Sequence, residues 1–225
     1  MRDNLSEKSK ETQSSDITFN IQPKENFMSL DNSNTLDEFL NEQKSSLKYF
    51  LTKCDKTDKY ISNYIHEIEV NIWIERFIYI FGRLFNTDMI IGFYILLFLY
   101  QSFFKKNYFF VIKPFIHVFV VFILTGILKY NLKRPRPEIK ENVKRRYNIR
   151  KKETNFSMPS GDSMQAGNFA IIALYYFGSN YGFILIPFVM FARIFYFCHY
   201  LLDTVVGAIV GISISWILVY PLRNI

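Results

Sequence analysis

From residue 88 to residue 220 the chain is a series of apolar segments separated by charged or turn-forming stretches, the one from 129 to 162 being long. The segments are 88–104, 108–128, 163–178, 181–198 and 204–220. About 20 apolar residues of helix cross the hydrocarbon core of a bilayer, and a span buried in lipid must satisfy its own backbone polar groups. Runs of this length therefore predict an all-α, polytopic membrane helical bundle of about five spans, with 163–178 the shortest. The segment before them, NIWIERFIYIFGRLF at 71–85, carries Glu75, Arg76 and Arg83. Three charges in fifteen residues are expensive inside a bilayer, so an interfacial or re-entrant helix is expected there. Lys113, Pro114 and His117 in the second span call for partners or a surface position.

The N-terminal part is different. Residues 1–66 hold nine Lys/Arg against eleven Asp/Glu, a balance of −2, so the rest carries +9 of the formal net charge of +7. A polar tail ahead of a basic, apolar body excludes an ordinary soluble enzyme. Residues 1–33 are expected to be disordered, and no apolar stretch near Met1 reads as a signal peptide. Thr35 to Glu38 fits a capping box, and Leu36, Phe39, Leu40, Leu47, Phe50 and Leu51 share a helical face. Tyr60, Ile61, Tyr64, Ile65, Ile68 and Ile72 repeat the pattern. The chain thus divides into a tail, 1–57, with an amphipathic helix, and a membrane-embedded domain, 58–225. Cys54 and Cys198 are too few for a disulfide framework and lack zinc spacing.

Three polar clusters lie at the borders of the apolar segments: Lys129 with Arg136-Pro137, then Pro159-Ser160-Gly161-Asp162, then Arg193 with His199 and Asp203. With alternating spans all three fall on one membrane face. The loop 129–155 holds eleven Lys/Arg against three Glu, which points to the cytosolic side by the positive-inside rule. Each cluster has a plain reading. Lysine and arginine near span ends snorkel to the interface, and Ser160 or Asp162 suits a helix N-cap. Arg193 stands apart, because a guanidinium in so apolar a segment needs an anion, and phosphate matches its fork. His199 and Asp203, four residues apart, share a helical face. The carboxylate can fix the imidazole tautomer, leaving a metal ligand, a general base, a nucleophile or a structural polar pair. No further ligand-spaced group accompanies them. Backbone N–H groups around Gly161 at a helix start suit an anion.

Taken together, K-x6-R-P, P-S-G-D and A-R-x5-H-x3-D resemble the type 2 phosphatidic acid phosphatase superfamily, whose pattern is K-x6-R-P, P-S-G-H and S-R-x5-H-x3-D. The resemblance covers about residues 58–220 and looks most like the small polyisoprenoid and presqualene diphosphate phosphatases. It implies a membrane lipid phosphatase in which His199 attacks phosphorus and Asp203 orients it. Lys129, Arg136, Ser160, Gly161 and Arg193 would hold the phosphoryl oxygens, with no metal and no cofactor. It further implies a lipid phosphate or diphosphate as partner, in the endoplasmic reticulum or nuclear envelope, and no nucleic acid.

Two positions depart from the pattern. Ala192 stands where the family has serine. Asp162 stands where the family has the histidine that protonates the leaving oxygen. A free carboxyl has a pKa near 4 and needs a shift of about three units to act as an acid at neutral pH. A lipid diphosphate, whose leaving group is an already stabilised anion, reduces that need. Isoprenoid-type diphosphates are therefore the expected substrates. The alternative is a pseudophosphatase that binds lipid phosphate, or serves as a scaffold, without turnover. A haloperoxidase is a distant third, because those relatives are soluble.

Overall fold

The computed structural model describes residues 32–105 and 109–222. Every regular element among them is helical: α1 (Asn32–Glu67), α2 (Ile72–Leu84), α3 (Thr87–Tyr100), α4 (Phe109–Leu132), α5 (Gly161–Phe177), α6 (Gly182–Phe195) and α7 (Leu201–Leu222). A π-helical turn, Gln101–Lys105, follows α3, and a short 3-10 turn, Arg150–Lys152, lies in the long α4–α5 loop. Of the stretch 1–33 expected to be disordered, 1–31 lie outside the described residues, as do 106–108, while Asn32 and Ser33 already belong to α1.

The chain separates into two compact units, Met1–Leu47 and Lys48–Ile225. The two amphipathic stretches expected at the N-terminus are one helix, α1, which begins ahead of the capping box at Thr35 and runs through residue 57. In the second unit, α4 and α7 are long and apolar enough to cross a bilayer. Helices α2 and α3 bend by 69° at a short break and make a third crossing if counted as one span. Helices α5 and α6, at 17 and 14 residues, are shorter than a full crossing.

The bend explains how the charged 71–85 segment is tolerated. Asn71 caps α2, its Oδ1 accepting from the amides of Trp73 and Ile74 at 3.0 Å. Glu75 is buried but accepts from the Arg146 and Tyr147 amides. Arg76 stacks on Trp73, and Arg83 pairs with Asp88 across the break. His117, wholly buried in α4, lies 3.3 Å from the Tyr176 hydroxyl.

Helices α5 and α7 form the centre of the bundle, and glycine lets their backbones meet. A Cβ on Gly211 would stand 2.1 Å from the Met164 carbonyl oxygen, on Gly207 2.6 Å from that of Ser160, and on Gly167 2.6 Å from that of Ala208. Small residues four apart bring helices close in lipid, where dispersion replaces the hydrophobic drive. Because Ser160 sits in this seam, the packing fixes the start of α5 against the start of α7. Gly211→Leu should therefore cost about 3 kcal/mol or more by overpacking. Thermal unfolding in detergent should show a large drop. Gly92→Leu, at a position with nothing within 4 Å, should leave the transition unchanged.

Candidate functional site

The site is assembled from three helix ends and one loop. Lys129 comes from the last turn of α4, Asp162 from the first turn of α5, Arg193 from the last turn of α6, and His199 from the turn before α7. They line a cavity of about 660 Å³ together with Gly161, Glu153 and Asn155. Arg136, Ser160 and Asp203 stand behind this wall. Segments distant in sequence thus supply one charged surface.

Ser160 is the N-cap of α5, and its Oγ accepts from the Ser163 amide and hydroxyl at 3.4 and 3.0 Å. The Ser160 amide in turn donates to the Asp203 carbonyl at 2.9 Å. The start of α5 is thereby tied to the start of α7, and Gly161 opens the helix at the cavity wall. An added Cβ there would meet Thr125 at 3.1 Å.

The cations are not idle. Lys129 Nζ donates to the Phe156 carbonyl at 2.7 Å. Arg136 donates through Nε to the Asn155 carbonyl at 2.7 Å, and through Nη1 to the Cys198 carbonyl at 2.6 Å. Its Nη2 pairs with Glu153 at 2.8 Å. Arg193, about 1% exposed, donates to the Gly82 carbonyl and the Asn86 side chain at 3.1 and 3.2 Å. It also pairs with Glu153, and with Asp162 at 2.7 Å. The anion that the apolar setting of Arg193 demands is supplied by two carboxylates of the chain itself. Lys129, Arg136 and Arg193 are thus gathered around Glu153 and Asp162.

Glu153, one acid in a loop of eleven cations, is not singled out by the sequence. Burial pushes its carboxyl up, but Arg193 and Arg136 outweigh that and hold it down to about 2, from an ordinary 4.5. A depressed carboxyl contributes stability above its ordinary pKa and loses it as pH falls through the folded value. Thermal stability in detergent should accordingly decline between about pH 4.5 and pH 2, and Glu153→Gln should flatten that decline. Asp162 moves the other way. Burial raises its carboxyl, with Glu153 assisting, against the pull of Arg193, Lys129 and Arg136. Its Oδ2 has no hydrogen bond, the contact with Arg193 being a charge pair only.

His199 is almost wholly buried. Burial, reinforced by Arg136, Arg193 and Lys129, holds its pKa well below the usual value, so the ring is neutral at physiological pH. Its Nε2 lies 3.3 Å from Arg136 Nη1. A guanidinium only donates, so Nε2 carries the lone pair and the proton sits on Nδ1. Nδ1 faces Asp203 Oδ2 at 3.9 Å, too far for a hydrogen bond. Asp203 is instead occupied by Arg134 Nη1 at 2.5 Å and by the Tyr200 amide at 2.9 Å. Arg134, inside the Lys129–Arg136 interval, also pairs with Asp55 and Asp58 of α1. Its neighbours Arg136 and Lys133 masked it in the sequence. Cys198 is buried and free, and among the described residues no three metal-ligating side chains gather.

The model of the PAP2 superfamily matches residues 110–224, just over half of the chain. The protein belongs to the PAP2 superfamily. Its fold is similar to a transmembrane PAP2-type phosphatidylglycerolphosphate phosphatase from Bacillus subtilis, with a TM-score of 0.59 and 18% identity over 77% of this chain and 88% of that one. It is also similar to LpxE of Aquifex aeolicus, with a TM-score of 0.56 and 24% identity over 72% of this chain and 93% of that one. Comparison with curated proteins finds no sequence match. The family, with the apolar helices, makes this PAP2 protein an integral membrane protein.

Proposed function

We propose that the protein is an integral-membrane lipid phosphatase that hydrolyses lipid diphosphates, preferentially of the isoprenoid type, through His199. The observation that carries this reading is a neutral, buried imidazole whose lone-pair nitrogen faces Arg136, in a wall of three cations. The similar Bacillus subtilis protein is a transmembrane phosphatidylglycerolphosphate phosphatase, which supports a phosphorylated membrane lipid as the substrate class.

In the proposed reaction the terminal phosphoryl group displaces Glu153 from Arg136 and Arg193 and is held by Lys129, Arg136, Arg193 and the Gly161 amide. His199 Nε2 attacks phosphorus. The N–P bond forms as the bond to the bridging oxygen breaks, and the lipid monophosphate leaves with the electron pair. Asp203, 3.9 Å away, offsets the developing imidazolium charge. Water then attacks phosphorus, the P–N bond returns its electrons to Nε2, and the water proton passes to the released phosphate or bulk solvent. Positioning and charge stabilisation supply the acceleration.

A second, apolar cavity of about 360 Å³ supports the lipid part of the reading. It shares Phe85, Ile90 and Gln165 with the charged cavity and continues between α3, α4 and α5. A hydrocarbon chain there would lead directly from the phosphate. The eleven cations of the 129–155 loop favour a cytosolic catalytic face.

One observation favours a different reading. Glu153 and Asp162 neutralise two of the three cations, so the site already holds an internal anion. A pseudophosphatase that binds lipid phosphate without turnover follows if these carboxylates do not give way. Phosphate release from a diphosphate lipid and a monophosphate lipid separates the two. His199→Ala should lower release by about 10³-fold or more, as loss of a nucleophile does. Wild-type protein without any His199-dependent release from either lipid would eliminate the enzyme.

A further inference from the structure

Three side chains of α1 lie in one stripe, four residues apart, and all face the turn that carries His199. Asp58, Ser62 and His66 are each buried, whereas Tyr60 and Tyr64 on the opposite side of the same helix are exposed. We infer that this stripe is a positioning element for the nucleophile: the N-terminal helix holds His199 in its attacking geometry. The inference rests on the phosphatase reading above.

The contacts are specific. Every helix begins with amide groups that have no partner within the helix. In α7 those donors are capped from α1. The Leu201 amide donates to Ser62 Oγ at 2.8 Å, and the Leu202 amide donates to Asp58 Oδ1 at 2.7 Å. His66 stacks on Phe197 with ring centroids 4.4 Å apart. The stripe therefore grips the nucleophile turn on both sides of His199.

The grip has something to hold. Phe197 has φ of 57°, the left-handed region that bulky residues rarely adopt. Such a conformation persists only where its surroundings over-determine it. Buried Phe197, pinned under His66, is so constrained. Asp58 further ties α1 to the first turn of α7, since Arg134 pairs with both Asp58 and Asp203. None of the three stripe residues lines the phosphate cavity, so their effect on chemistry passes through His199.

The test uses the full-length protein in detergent, with a long-chain isoprenyl diphosphate as substrate. Ser62→Ala and Asp58→Ala should each lower kcat by roughly 10- to 100-fold, the cost of displacing a reacting group by about an ångström. KM and inhibition by inorganic phosphate should stay within about two-fold, because the cationic wall is intact. Ser62→Thr, which keeps the acceptor, should restore kcat. Unchanged kcat, a parallel loss of phosphate inhibition, or no rescue by threonine overturns the inference. If an alanine variant does not fold, Asp58→Asn replaces it: it keeps the acceptor for Leu202, removes the charge facing Arg134, and should lower kcat in the same direction. Hydrogen exchange of residues 197–203 reads the grip without turnover. Ser62→Ala should accelerate it by about tenfold there and not in α5; unchanged exchange overturns the inference even in a chain that releases no phosphate. A silent wild type whose exchange does respond would count against the phosphatase reading alone.

Discussion

Arg193→Ala should yield a protein that is both inactive and markedly less stable. The guanidinium is almost completely buried, and four groups converge on it: the Gly82 carbonyl, the Asn86 side chain, Asp162 and Glu153. Removing it leaves two carboxylates facing each other without their shared cation. Breaking a buried pair by deleting one partner costs about 3–5 kcal/mol, mainly because the remaining charge is stranded. Thermal unfolding in detergent should show the loss, and a near-wild-type transition would contradict the arrangement. Adding Asp162→Asn to Arg193→Ala should recover part of the stability, because the stranded Asp162 charge is gone while Glu153 keeps its pair with Arg136. The same double variant should remain unable to release phosphate. Arg193→Lys should fall between, since a point charge cannot span Gly82, Asp162 and Glu153 at once.

Asp162→His should change the substrate range more than any other single replacement. A well-placed general acid contributes about 10²- to 10⁴-fold when the leaving group is a poor one. Release from a lipid monophosphate, which must expel an alkoxide, should rise by roughly that factor. Release from a diphosphate should change by only a few-fold, because its leaving group is already a stabilised anion. Equal gains on both lipids would remove the leaving-group argument. The pH profile provides a separate check. Burial raises the Asp162 carboxyl, so the proton it offers is present at low pH and lost as pH rises through the folded pKa. Monophosphate release by the wild type should therefore fall with rising pH, and the histidine variant should carry its activity to higher pH.

How much of this was legible beforehand varies residue by residue. The apolar segments predict helices in lipid, and the fold is all-helical. Their number is less direct: α5 and α6 are short, and α2 and α3 share a bend, because a membrane helix buried among others need not match the bilayer by itself. The spacing of Lys129, Arg136, Ser160, Gly161, Arg193, His199 and Asp203 marks the site, since those intervals place helix ends and short turns at one level. Glu153 could not be picked out. Its role depends on the path of the 133–160 loop, which has no hydrophobic periodicity and folds back through single contacts such as Ser157 N to the Arg134 carbonyl at 2.8 Å. Asp58, Ser62 and His66 were hidden for another reason. On an amphipathic helix their polar stripe looks like a solvated face, and only the docking of α1 on the α6–α7 turn makes it an interior one.

The sequence by itself determined that this is a basic, helical membrane protein with the spaced clusters K-x6-R-P, P-S-G-D and A-R-x5-H-x3-D at the ends of its apolar segments. Those properties follow from local composition and fixed spacing, which survive any arrangement of the helices. The tertiary structure decided which charges meet. It paired Asp162 and Glu153 with Arg193, gave Asp203 to Arg134 and set it 3.9 Å from His199, and brought α1 to the turn that carries His199. Electrostatic and hydrogen-bond partners depend on separations of a few ångströms between residues up to about 140 positions apart, and no local pattern encodes those.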